Sequence, residues 1–271
     1  MAHIIAGRSE ERDSPIVMDE PACLERNVIM RMINDHSFTI DQAIHEICDL
    51  TAAASAEDFQ ASTSSETGVA HRSLHRHSGR VQWILQNLAV AVPHDRQSRL
   101  IEFILRLEKS TVPDPNRGGI VGDGKDIFWT SVPSFSRNLV RLMVELNDNG
   151  EFDPAQENLA AFLAQLFEAG YSGCERVLDW TYAYTAAVFQ TGFTPDKRNV
   201  RMFCIWLIYA NRKLWLDTQG PNRLFRQEFW EGWRALLLDC QSSNQDWCSD
   251  EDTQMLMMRA LDCMHITQAE N

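Results

Sequence analysis

The stretch MFCIWLIYA, Met202 to Ala210, decides how the chain is read. A surface helix would break such a run with a polar residue every third or fourth position. This one is apolar on every face, which places a helix in the middle of a bundle rather than on its surface. Arg201 and Arg212 bracket it, so it falls well short of the roughly 20 residues that cross a bilayer. A central, all-apolar helix near 200–216 is therefore expected, opened by Thr194-Pro195 and closed by Gly220-Pro221.

Working outward, helix signals dominate. Thr39 followed by Ile40-Asp41-Gln42 reads as an N-cap with Gln at the third helical position, ahead of the amphipathic run IDQAIHEICDLTAAA. Asp153, Pro154 and Gln156 open a second helix that Gly170 closes. Inside it Leu159, Phe162, Leu163, Leu166 and Phe167 form one apolar stripe. Further helices are expected near 17–34, 80–91, 96–109, 132–147, 174–190, 224–240 and 250–266. No hairpin turn lies between alternating hydrophobics, so the expected class is all-α, a single bundle of about ten helices. Two stretches read as breaks. Residues 55–79 are rich in Ser and Thr and predict a flexible loop; residues 110–126, with two prolines and four glycines, predict a long surface loop. The N-terminal helices carry few bulky residues. The expected organisation is thus an N-terminal segment and first helix over 1–36, then one helical domain over 37–271.

Composition narrows the partners. The 271 residues hold 25 Lys and Arg against 38 Asp and Glu, a net charge of −13. Such a balance excludes the clustered cations on which nucleic-acid and anionic-membrane binding rely. Hydrophobic residues at 44% and charged residues at 23% mark a globular chain. The opening MAHIIAGRSEERDS has no apolar leader core, and no run is long enough to span a membrane. Seven cysteines, an odd number without a C-x-x-C pair, suit a reducing cytoplasm.

Several residue groups could carry chemistry. Trp129, Trp180, Trp206, Trp215, Trp230 and Trp233, with Tyr182, Tyr184 and Tyr209, crowd the C-terminal two thirds. They either fill the core or line a cavity for an apolar or cationic ligand. Asp179 sits among apolar neighbours four residues after Glu175, where burial would raise its pKa and fit it for acid–base work; pairing with an arginine is the plainer reading. Arg141 and Glu145 are a helical i, i+4 pair, on the surface or aimed into a cleft. His71, His75 and His77 alternate with Arg72, Arg76 and Arg80, whose charge would repel a divalent ion, so the segment reads as a solvated basic island. Ser249-Asp250-Glu251-Asp252 reads as a helix cap before it reads as a magnesium ligand set. No nucleophile elbow and no glycine-rich phosphate loop occur.

The spacing of the bulky residues resembles that of a known family. Trp129-x-x-x-Pro133-x-Phe135 is followed by Arg141, then by Asn158-x-x-x-Phe162-x-x-x-Leu166. Trp206-x-x-x-Ala210-x-x-x-Leu214-Trp215 and Phe225-x-x-x-x-Trp230-x-x-Trp233 come next, and Val92-Pro93-His94-Asp95 and Ala43 to Ile47 fit as well. Over residues 37–240 the pattern is similar to the fungal family catalogued as domain of unknown function 3632. The resemblance implies an intracellular, all-helical protein of fungal secondary metabolism, and some members look related to unconventional sesquiterpene cyclases. It implies a hydrophobic small molecule as partner, with a second copy of the chain as a further candidate. In the cyclase version Trp180, Tyr184, Trp206 and Tyr209 would line the cavity and Arg141 would meet a diphosphate. Glu145, Asp148 and Asp179 would hold Mg²⁺, with Glu145 and Asp179 as the catalytic acids. The chain lacks a D-D-x-x-D/E box, and Glu151 and Ala155 stand where a second metal motif beginning at Asn147-Asp148 needs Ser or Thr and Glu. The alternative is a non-catalytic helical adaptor whose aromatics are all core.

Overall fold

A computed structural model describes residues 23–64, 73–114, 116–122, 128–129, 133–148, 154–171, 196–219, 227–243 and 246–270. Among them the fold is all-α. The helices are α1 (Leu24–Asn34), α2 (Ile40–Ser64), α3 (Ser73–Ala91), α4 (Ser98–Leu107), α5 (Pro133–Asp148), α6 (Pro154–Glu168), α7 (Lys197–Tyr209), α8 (Asn211–Gln219), α9 (Gln227–Ser242) and α10 (Glu251–Glu270). An isolated antiparallel bridge, Pro113 to Ile120, is the β pairing among the described residues.

The chain gathers into two compact units. Residues 1–92 and 96–132 form the first, and 93–95 and 133–271 the second. The N-terminal helices hold more core than their composition suggested: Ile29, Met32, Ile47, Ile84 and Phe103 are among the largest fully buried side chains. Helix α2 begins with a capping box. The Thr39 hydroxyl accepts from Gln42 N (3.2 Å) and the Gln42 side chain accepts from Thr39 N (2.7 Å). The expected loop at 55–79 is helical at 55–64, the end of α2, and at 73–79, the start of α3. The reason is local. The Asp58 carboxylate accepts from Ser73 N (2.8 Å) and Leu74 N (3.1 Å), so α2 itself caps α3 and the Ser-rich composition is overridden. The expected loop at 110–126 is irregular over 110–122. It turns on buried Asp114, which accepts from Asn116 N, Arg117 N and the Ser55 hydroxyl.

The second unit is built around α7. Met202 to Leu207 are at most 1% exposed, as a helix apolar all round requires. The helix is shorter than expected. It opens on Asp196, whose side chain accepts from Asn199 N, and stops at Tyr209, because Ala210 leaves helical geometry (φ −131°, ψ 20°) and its carbonyl starts α8 by accepting from Leu214 N. Contacts fix the sense of its neighbours. Glu157 meets Arg201 and Phe167 meets Trp206, while Thr253 meets Arg201 and Cys263 meets Asn211. Helices α6, α7 and α10 therefore run in the same direction. Helix α6 ends in a Schellman turn, with Tyr171 N on Leu166 O and Gly170 N on Phe167 O, around Gly170 at φ +75°.

Two glycines should respond with opposite signs. Gly170→Ala places a Cβ on a left-handed residue and is expected to cost about 1 kcal/mol. Gly232→Ala, in the middle of α9 with nothing within 4 Å of the added carbon, should stabilise by about 0.5–1 kcal/mol. Urea denaturation of both variants checks the pair.

Candidate functional site

The residues singled out in the sequence do not gather into one site among those described. Asp179, Trp180 and Tyr184 lie outside the described residues, as does the side chain of Asp148. Arg141 and Glu145 bond each other on α5 at 2.7 Å, with side chains 79% and 56% exposed. Trp206 is core: it packs edge to face on Phe167 at 6.1 Å, and its indole N–H has no partner among the described residues. Trp215, Trp230, Trp233 and Phe203 pack on one another in the same unit, with ring centroids 5.1–5.9 Å apart. No group of three or more His, Cys, Asp or Glu converges as metal ligands among the described residues. Of the three donors expected to hold Mg²⁺, the Glu145 side chain is described, and it faces solvent in its pair with Arg141; Asp148 and Asp179 lie outside that description. Asp250, in the acidic run near the C-terminus, caps α10 through Thr253 N and the Thr253 hydroxyl.

A polar centre that the sequence reading missed lies in the first unit. His77, expected in a solvated island, is 1% exposed. On α3 it occupies the apolar stripe continued by Val81, Ile84, Leu85 and Leu88, and Glu25 does the same on α1 with Val28, Ile29 and Met32. Two polar residues in core register have to meet, and they do. His77 Nδ1 lies 2.9 Å from Glu25 Oε1, and its Nε2 lies 3.0 Å from the Thr51 hydroxyl of α2. Arg80, one turn on from His77, donates to the same Glu25 oxygen through Nε (2.9 Å) and a terminal nitrogen (2.6 Å). His77 also meets Trp129 edge to face at 5.8 Å. The signal was present in the sequence as a histidine and a glutamate in phase with leucines and isoleucines.

The protonation follows from the partners. Burial alone would raise the Glu25 carboxyl, but hydrogen bonds from Arg80 and His77 outweigh it and hold the group at about 2. Burial pushes the His77 imidazole below its ordinary value against the pull of Glu25. A carboxylate only accepts, so an imidazole proton sits on Nδ1; the Thr51 hydroxyl donates its one proton to Ile47 O, and its oxygen lies 3.0 Å from Nε2. The hydroxyl–imidazole–carboxylate order has the spacing of a nucleophilic triad, yet Thr51 is fully buried and its hydroxyl also lies 2.7 Å from Ile47 O. The arrangement joins α1, α2 and α3 through a buried chain of polar contacts.

Two cavities open beside this centre. One, of about 440 Å³, is lined by Leu24, Val28 and Leu50 with Asn27, Arg31, Glu46 and Asp49. The other, of about 410 Å³, is lined by Cys23, Glu25, Glu57, Ser73, Arg76, His77 and Arg80, with Leu24, Leu50, Ala53 and Ala54. Leu24 and Leu50 line both, so the two form one groove along α1 and α2 with an apolar half and a charged half.

The second unit holds a smaller polar pair. Tyr209 turns its hydroxyl to His94 Nδ1 at 2.6 Å, and Arg259 also bonds Tyr209. The His94 backbone is fixed from both sides: its N–H donates to Asn158 Oδ1, and its carbonyl accepts from Gln165. Burial lowers the imidazole and raises the phenol, so Tyr209 donates and both groups stay neutral.

Glu25→Gln should destabilise the fold by about 3 kcal/mol at pH 7, because it leaves Arg80 and His77 facing a neutral amide. The carboxyl of Glu25 is depressed from 4.5 to about 2, so its contribution is complete above pH 4.5 and is lost as the pH falls toward 2. The gap between wild type and variant in urea unfolding should therefore close over that window.

No curated protein and no solved structure matches the chain. The family described as protein of unknown function (DUF3632) matches residues 84–250, a stretch that includes His94, Trp129, Asn158, Trp206 and Tyr209 and omits α1, α2 and the start of α3. With that stretch covering more than half of its 271 residues, the chain belongs to this family.

Proposed function

We propose that the protein binds a small molecule with substantial apolar surface in the groove of its first unit. The observation that carries this reading is the pair of cavities sharing Leu24 and Leu50 beside the buried Glu25–His77–Arg80 centre. Each cavity is within the size range of ligand sites, and a few convergent polar groups with shifted pKa values mark such sites. Three helices joined by buried ionic hydrogen bonds make the floor rigid, which lowers the entropy lost on binding. A ligand of about a dozen heavy atoms would gain on the order of 5 kcal/mol, a sub-millimolar dissociation constant.

Of the aromatics weighed as cavity lining, Trp206 is closed in against Phe167, while Trp180 and Tyr184 lie outside the described residues. The cyclase version would need Asp179, Trp180 and Tyr184, and the described geometry of Arg141 and Glu145, a mutual ion pair in solvent, lends it no support.

The test is a ligand-observed nuclear magnetic resonance screen of small apolar fragments against the full chain. Leu24 is 65% exposed, so Leu24→Glu should leave folding intact while weakening groove ligands at least tenfold. Met258→Ala, at an exposed position of α10 in the second unit, should leave them unchanged. Fragments indifferent to Leu24→Glu would sink the proposal.

A further inference from the structure

The charged half of the groove has a specific balance. Arg80 and His77 are already committed to Glu25, and that carboxylate in turn is taken up by them. The N-terminus of α3, an otherwise natural anion site, is closed because the Asp58 carboxylate occupies the N–H groups of Ser73 and Leu74. Two charged side chains of the lining remain, Arg76 on α3 and Glu57 on α2. Both are exposed, and neither has an ion-pair partner among the described residues. This cavity thus offers one cation and one anion; the adjoining one joins apolar Leu24, Val28 and Leu50 to the Arg31–Glu46 pair and to Asp49, which lies 3.6 Å from His45.

That combination selects among ligand classes. A dianion such as a phosphate ester would meet a single available guanidinium and a repelling Glu57. A bare hydrocarbon would strip water from Arg76 and Glu57 with nothing in exchange, which is costly for charged groups. A molecule carrying one carboxylate and one ammonium satisfies both, with Arg76 gripping the carboxylate through its planar fork and Glu57 accepting from the ammonium. Its apolar portion would then lie over Leu24, Val28 and Leu50.

We propose that the groove takes a zwitterion with an apolar side chain, of the class of the apolar α-amino acids. This rests on the groove being the ligand site, and the experiment separates the two claims. Phenylalanine, 3-phenylpropanoate, phenethylamine and propylbenzene share one ring and differ only in the head. Titration of each into the full chain, with the methyl resonances of Leu24 and Leu50 as reporters, gives four affinities. Phenylalanine is expected to bind at least tenfold tighter than the other three. Arg76→Gln should weaken phenylalanine and 3-phenylpropanoate about tenfold and spare phenethylamine; Glu57→Gln should weaken phenylalanine and phenethylamine and spare 3-phenylpropanoate. Both residues are exposed, so neither change threatens folding. Propylbenzene, the acid or the amine binding as tightly as phenylalanine would overturn the zwitterion while leaving the groove as a ligand site. If none of the four shifts those methyl groups, the groove reading falls with it.

Discussion

A charge on the buried face of a helix has to meet its partner before the helices can close, and both units are organised by that constraint. In the first, Glu25 at 3% exposure takes hydrogen bonds from an imidazole and a guanidinium through a single oxygen. In the second, Arg201 and Glu157, both 9% exposed, bond at 2.5 Å, and Arg201 reaches on to Thr253 and toward Asp250. Burying such pairs is expensive, and well-packed apolar residues of the same volume would often be as stable. What the pairs contribute is registry. Glu25 can satisfy His77 and Arg80 only if α1 sits at one height against α3, and Arg201 fixes α6 and α10 against α7 in the same way.

That registry shapes the groove. With α1 held by its Glu25 end, Leu24 is left 65% exposed at the edge of the helix and Leu50 half-buried on α2 facing the same space. Arg31, farther along α1, pairs with Glu46 of α2 and stacks on Phe38 at 3.6 Å, so the helix is pinned at both ends while the middle of the groove stays open. Arg80 is half exposed although its partner is buried, which makes it the hinge between core and solvent.

Much of the fold could be read from residues. The capping box at Thr39, the stop at Gly170 and the all-apolar run at Met202 each bear a local signature that does not depend on distant contacts. The misreadings share one cause. Ser- and Thr-rich composition over 55–79 suggested a loop, but Asp58 caps α3 from another helix, a tertiary contact that local propensity cannot register. His77 was weighed by its arginine neighbours in sequence, yet on a helix its neighbours are three and four residues away: half-buried Leu74 and buried Val81 continue the apolar stripe, and Arg80 shares its carboxylate partner. The groove was beyond reach, because it depends on which height α1 takes against α2 and α3.

Of the two readings that aromatic richness left open, Trp206, Trp215, Trp230 and Trp233 take the core one. Trp206, Trp230 and Trp233 are each about 1% exposed; Trp206 packs on Phe167, and Trp233 on Trp230 and Phe203. The polar pair His94–Tyr209 is tied to the same helix as Phe167, through Asn158 and Gln165 of α6. The first unit buries Phe103 and Trp129 as well, but sets a histidine, a threonine and a glutamate among them. A recess lined by charge needs walls that a dense aromatic core would fill, and the chain places its groove where leucines, alanines and ion pairs leave room for one.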